Sequence, residues 1–279
     1  MLWITSACLR FVVPILGLTL ATTTAATAGA ETVKARYSVS LVGFHIGEAR
    51  AEGSIEAANY RVDLSARLTG VASWVAHIKM ALASSGFIRR GAILPTAYAT
   101  TAASARSTRT VRMSLQAGTV RAVDISPPFD DIEGRVPVTR ANKRNVLDPM
   151  SALIMAVPRG EPLVGPSACN RTIPIYDGVV RFDVAMHYVG TRNVAVKGYS
   201  GPVSVCAVRY RPVSGHKIDS RSTQFMAANR DIEAWLAPIE PAHIVVPFRV
   251  ALRTLAGMAE IQATQLLIEP GDMTAKQDH

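Results

Sequence analysis

The chain has 279 residues, with 30 Lys and Arg against 21 Asp and Glu, for a formal net charge of +9. This length buries a sizeable core, which excludes a miniprotein that needs disulfides merely to fold. The basic balance favours anionic partners such as lipid headgroups or acidic polysaccharide, and only 6% of the residues are aromatic.

Residues 1–30 read as a secretory signal peptide. Arg10 precedes an apolar run over 11–21, and small residues follow, ending Ala28-Gly29-Ala30, so cleavage is expected after Ala30. The run contains Pro14 and is shorter than the roughly 20 residues that cross a bilayer. Cys8 lies before the apolar core, which excludes it as a lipoprotein attachment cysteine. No second long apolar run follows, so residues 31–279 are expected to be soluble and periplasmic. Export argues against nucleic acid as a partner.

From residue 37 onward the dominant signal has period two. Tyr37, Val39 and Leu41 form one apolar row, and Tyr60, Val62, Leu64, Ala66 and Leu68 alternate with Arg61, Asp63, Ser65 and Arg67. The same pattern recurs at Val111, Met113 and Leu115, from Val180 to Tyr188, at Ile232, Ala234 and Leu236, from Ile244 to Leu252, and at Ile261 and Ala263. Half-buried strands read this way, and one wet face per strand implies antiparallel pairing. Asp177-Gly178 marks a hairpin turn. The stretch 70–83 fits either helical spacing or a strand and a turn. Asp148 as a cap, Pro149 at the first position and Pro158 as a stop predict a buried helix over 148–157. The segments 126–145 and 158–168 read as loops. The fold class is all-β, one antiparallel domain over 31–279 with one or two short helices. The sheet either closes into a barrel or stays half open, and any division into two halves falls near 126–168.

Two cysteines remain after the leader, Cys169 and Cys206. In an exported chain they are expected to pair. The absence of C-x-x-C and of a nearby histidine pair argues against the redox and metal alternatives. There is no G-x-S-x-G, H-E-x-x-H or glycine-rich phosphate loop, and the six histidines are isolated. Asp130, Asp131 and Glu133 in a loop, and Asp231, Glu233 and His187 on strands, read as solvated rather than catalytic. No catalytic, metal or cofactor site is assigned. Trp74 and Trp235 stand out as contacts for a ligand, a partner or a covering segment, since Trp235 shares the polar side of its strand with Asp231 and Glu233.

Several stretches together resemble the bacterial exported proteins of domain-of-unknown-function family 3108. They are YSVSLVGFHIGE over 37–48, DPMSAL over 148–153, Tyr176-Asp177-Gly178, and DIEAWL over 231–236 followed by Pro238 and Pro247. The resemblance spans nearly all of 31–270 and implies an envelope protein with an antiparallel β fold, similar to the half-barrels of lipoprotein carriers. It carries no catalytic residues. Gly43 and Gly47 read structurally, as a tight turn or a bulge. The leading expectation is a non-enzymatic protein that binds an apolar or amphipathic envelope molecule, such as a lipid, or assists envelope assembly. The alternatives are a protein-interaction or scaffold module and a cell-wall or polysaccharide hydrolase. The oligomeric state stays open.

Overall fold

The computed structural model describes residues 31–270 apart from 57, 76, 90, 131 and 132, without the side chains of 71, 74 and 75. The expected leader, Asp131 and the side chain of Trp74 therefore lie outside the described residues. Seven N-terminal strands form a meander: β1 (Glu31–Leu41), β2 (Phe44–Ile55), β3 (Asn59–Leu68), β4 (Lys79–Arg89), β5 (Ala92–Ala103), β6 (Thr108–Gln116) and β7 (Thr119–Ser126). A connector over 127–170 holds the short β8 (Met155–Ala156). A second meander follows with β9 (Arg171–Tyr176), β10 (Arg181–Val196), β11 (Tyr199–Ser214), β12 (Ile232–Ile239), β13 (Ile244–Thr254) and β14 (Gly257–Pro270). β1 pairs with β14, so both meanders belong to one antiparallel sheet whose edges are β7 and β9.

The alternation seen in the sequence is the alternation of burial. Tyr60 and Val62 are buried while Arg61, Ser65 and Arg67 are exposed, and on β6 Val111, Met113 and Leu115 are buried between exposed neighbours. The inner face of β1–β6 forms one hydrophobic cluster with Phe248, Leu266 and part of the connector. A second cluster lies among β9–β13 and the rest of the connector.

The sheet does not close by strand pairing, and the connector spans the gap. The Val146 amide donates to the Gly118 carbonyl (2.9 Å) in the β6–β7 turn. Its neighbour Leu147 bonds β9 twice, donating to the Pro174 carbonyl (2.8 Å) and accepting from the Tyr176 amide (2.9 Å). One two-residue stretch therefore ties both edges together, and the half-open alternative is the one observed.

The expected helix over 148–157 is replaced by a single 3-10 turn, Ser151–Leu153, after which the chain extends as β8 and pairs with Ile244 and Val245 of β13. The reason is the two flanking cores. Met150 and Ile154 join the first cluster while Ala152, Met155 and Val157 join the second. An extended chain sends successive side chains to opposite sides, and a helix would send one stripe to one side. The stretch 70–83 divides into α1 (Gly70–Val75) and the start of β4. Two further helices, α2 (Pro166–Cys169) and α3 (Arg221–Ala228), flank the second meander. Asp177 makes the expected hairpin turn between β9 and β10, its Oδ1 accepting from the amides of Val179 (2.8 Å) and Val180 (2.6 Å).

Gly43 and Gly47 have different duties. Gly43 (φ 81°) sits in the β1–β2 turn, whereas Gly47 lies against β3, where a Cβ would stand 2.7 Å from the Arg67 carbonyl oxygen. Gly215, at the end of β11, has both constraints. Its φ is 82°, and a Cβ would stand 1.9 Å from the Val179 carbonyl oxygen. It also bonds the connector through the Val136 carbonyl and through the Arg135 guanidinium, 2.7 Å from its own carbonyl. Gly215→Ala is expected to lower stability by about 3 kcal/mol, from strain and a backbone clash that no rotamer relieves. Chemical denaturation checks this, and a loss under about 1 kcal/mol would show that the junction yields freely.

Candidate functional site

The inner face of β1–β3 is unusual for a β core because small residues cluster at its middle, among larger ones such as Val33, Ile55, Val62 and Leu64. Ala49, Ala51 and Gly53 on β2, with Ala35 on β1 and Ala66 on β3, point where a packed sheet places Val, Ile or Leu. Opposite them, Met150, Leu153 and Ile154 of the connector and Val246 and Val250 of β13 do not fill the space. An apolar cavity of about 250 Å³ remains. Its lining is almost entirely carbon. The Tyr37 hydroxyl is tied to the Pro247 carbonyl (2.8 Å), and burial pushes its pKa up to about 12. Such a space takes apolar matter; a cavity of roughly 150 Å³ is enough to hold benzene. Drug-sized ligands occupy roughly 300–1,000 Å³, so this cavity suits one slender tail.

A second space abuts the first. Leu64 of β3, which lines the cavity, pairs with Leu82 of β4, which lines an open groove of about 750 Å³ over β4–β6. Pro149 lines the groove and Met150 the cavity, so the connector borders both. The groove has Met80, Leu82, Tyr98 and Val111 along its floor. One wall is different. Phe129 lies beneath two guanidinium groups, Arg109 at 4.0 Å and Arg135 at 5.5 Å from the ring centroid. The half-buried Asp177 completes that wall, and desolvation raises its carboxyl above its ordinary value, against the lowering effects of its backbone hydrogen bonds and of Arg135. The groove thus sets an apolar floor beside two guanidinium groups.

A closed polar cluster lies where the connector meets β3 and β4. Asp148 is fully buried, and its Oδ1 accepts from the amides of Met150 and Ser151 (2.9 Å each). Its Oδ2 accepts from the hydroxyls of Ser151 and of Ser84 (2.9 Å). Ser151 Oγ in turn lies 2.6 Å from the Tyr60 hydroxyl. Burial raises the Asp148 carboxyl above its ordinary value, the hydrogen bonds only partly opposing it. Ser84, Asp148 and Ser151 are all at most 3% exposed. Closed off in this way, the cluster anchors the connector to β3 and β4 and offers no reactive group to a substrate.

A model of the family described as Protein of unknown function (DUF3108) matches residues 36–264. The chain belongs to the DUF3108 family. The matched span takes in the whole groove and all of the cavity lining except Val33, Ala35 and Leu266. No curated protein matches the chain. Among solved structures, a beta-barrel-like protein of domain of unknown function DUF1849 from Brucella abortus is similar at 10% identity and a TM-score of 0.48, over 88% of this chain and 99% of that one.

Elsewhere in this DUF3108 protein, the residues singled out by sequence separate into distinct places. Cys169 of α2 and Cys206 of β11 form a disulfide with Cα atoms 5.5 Å apart and no exposure of either residue. Trp235 of β12 is half-buried against the first core. Its Nε1 donates to Glu233 (2.7 Å), and the Arg249 guanidinium covers its ring at 4.8 Å. Trp235 lines neither the cavity nor the groove. Arg249 bridges Glu233 (3.0 Å) and Glu260 (2.6 Å), and Arg253 holds Asp231 (2.8 Å), so arginine engages both strand acids. His187 and Asp130 are exposed and apart from these groups. Among the described residues no three His, Cys, Asp or Glu side chains are placed to hold a metal ion. Sequence reasoning missed the cavity and the Arg109–Phe129–Arg135 wall. The available signal was the Ala-x-Ala-x-Gly spacing over 49–53, an inward row too small to fill a core.

Proposed function

We propose that this protein is an exported, non-enzymatic carrier or receptor for an amphipathic envelope molecule. The apolar tail enters the cavity beneath β1–β3, and the acidic end rests by Arg109 and Arg135. The cavity itself carries the reading: an apolar space of about 250 Å³, left open where Ala35, Ala49, Ala51 and Gly53 are too small to fill it, abutting a groove with two guanidinium groups. A periplasmic home accords with the leader-like residues 1–30 and with the disulfide, since such bridges belong to oxidising compartments. The net charge favours an anionic ligand over a neutral one.

The test is titration of the purified protein with cis-parinaric acid, a fluorescent fatty acid, alongside the uncharged probe N-phenylnaphthylamine. Both are expected to bind. Ala51→Leu adds three carbons inside the cavity and is expected to weaken both probes by about tenfold or more. Arg109→Ala is expected to weaken the acid by about tenfold while sparing the neutral probe, as loss of one charge-assisted contact does. Absence of binding by either probe, or binding indifferent to Ala51→Leu, would sink the reading and move attention to the β7 edge as a protein-docking strand.

A further inference from the structure

The antiparallel sheet puts alternate turns at the same end. The β1–β2, β3–β4 and β13–β14 turns are neighbours there, because β4, β3, β2, β1, β14 and β13 are consecutive in the sheet. Each turn exposes large apolar side chains: Val42 (56%) and Phe44 (75%) on the first, Ile78 and Met80 on the second, Leu255 (65%) and Met258 on the third. The turns are physically joined. The Val42 amide donates to the Met258 carbonyl (2.7 Å), and the Thr69 amide donates to the Ile46 carbonyl (3.0 Å). Single exposed hydrophobes need no explanation, but six on three adjoining turns make a patch. Val42 is held at φ 52°, a position that Asn or Gly ordinarily takes in such a turn. The opposite end of these strands exposes Phe87 instead.

Two more observations say what covers this patch. The groove opens at the same end, since Ile78 and Met80 belong both to its lining and to the patch. Lys79, beside them, and Arg106, on the nearby β5–β6 turn, are exposed. Apolar tips flanked by cations, on a chain of net charge +9, complement a surface that is anionic outside and hydrocarbon within. We propose that this end of the sheet docks onto an anionic phospholipid bilayer. The three turns insert to headgroup depth, and the groove mouth faces the lipid. The proposal rests on the ligand-binding reading for its purpose but not for its evidence. In this pose an amphipathic molecule moves between groove and bilayer without crossing water.

The experiment is flotation of the purified protein without the expected leader, residues 31–279, with phosphatidylglycerol–phosphatidylcholine vesicles, and with phosphatidylcholine vesicles alone. Binding is expected to the anionic vesicles and to weaken with added salt. Phe44→Ser with Leu255→Ser is expected to weaken it about a hundredfold, one decade for each side chain withdrawn from the interface. Lys79→Ala or Arg106→Ala is expected to weaken it about fivefold, the worth of one cation near an anionic surface. Phe87→Ser, at the other end, should change nothing. Failure to float, or equal loss with Phe87→Ser, would overturn the proposal. So would a dimer that Phe44→Ser with Leu255→Ser converts to monomer, which would make the patch a contact between copies. Binding of cis-parinaric acid without vesicles is measured on the same variants. If it persists while flotation fails, the docking proposal alone falls, and if it is absent while flotation succeeds, the ligand reading alone falls.

Discussion

Asp148→Ala is expected to lower the free energy of unfolding by about 4 kcal/mol, because it strands two buried amides and weakens two buried hydroxyl contacts at once. The amides are those of Met150 and Ser151, and the hydroxyls are those of Ser84 and Ser151. Ser84 keeps the Ala97 carbonyl (3.2 Å) and Ser151 keeps Tyr60, so the hydroxyls lose less than the amides. Asp148→Asn separates hydrogen bonding from charge. The amide oxygen can still accept from both backbone N–H groups, and the amide NH2 can donate to Ser84 Oγ and Ser151 Oγ. Those hydroxyls then donate onward to the Ala97 carbonyl and to Tyr60. The asparagine variant should therefore fold as well as the wild type or better.

The pH dependence follows from the same carboxyl. Burial raises the folded-state pKa of Asp148 above its ordinary 3.8. Between those two values the unfolded chain is ionised while the folded carboxyl keeps its proton. The folded state then binds more protons, and stability falls as pH rises through this window. Asp177, raised by burial as well, acts in the same direction. Asp148→Asn removes the Asp148 share. Its advantage over the wild type should be smallest near the ordinary carboxylate pKa and should grow toward neutrality. Urea unfolding of both proteins at acid and neutral pH measures this, and a difference that does not change with pH would contradict a raised pKa.

Asp148 also shows where the sequence is readable. Its capping of the following turn is local, and a Asp-Pro-Met-Ser stretch announces it. Ser84 bonds Asp148 across 64 residues and Tyr60 bonds Ser151 across 91, so no local pattern could join them. The strands were legible because each has one wet face, which leaves a period in the residues. The segment 150–157 misled for the opposite reason: it is apolar at nearly every position because both of its sides are buried. Nor does hydrophobic periodicity mark the cavity. Ala49 and Ala51 count as apolar inward residues like any others, and only their size, set against Met150 and Ile154 across the fold, leaves the space. Arg109 and Arg135 were equally hidden, since what joins them is the ring of Phe129 in a loop.

Replacing Cys169 and Cys206 together by alanine is expected to cost about 4 kcal/mol, the chain entropy returned to the unfolded state when a loop of this length is released. The sequence separation is 37 residues. The loss should be local in its first effects. The bridge fixes α2 against β11, where Ala168, Leu163 and Val208 pack in the second cluster, whereas the cavity is walled by β1–β3 on the far side of the connector. The double variant should therefore unfold at lower urea yet still bind cis-parinaric acid when folded, and its first amides to exchange should lie in 158–176. Reductant alone should act slowly on the wild type, because neither cysteine is exposed and attack on the sulfur must wait for opening of that region. Thiol labelling across a urea series reads this directly. Labelling that proceeds rapidly without denaturant would mean that α2 lifts from the sheet in the native state, and it would place the most mobile part of the fold at the end of the connector rather than at its anchored middle.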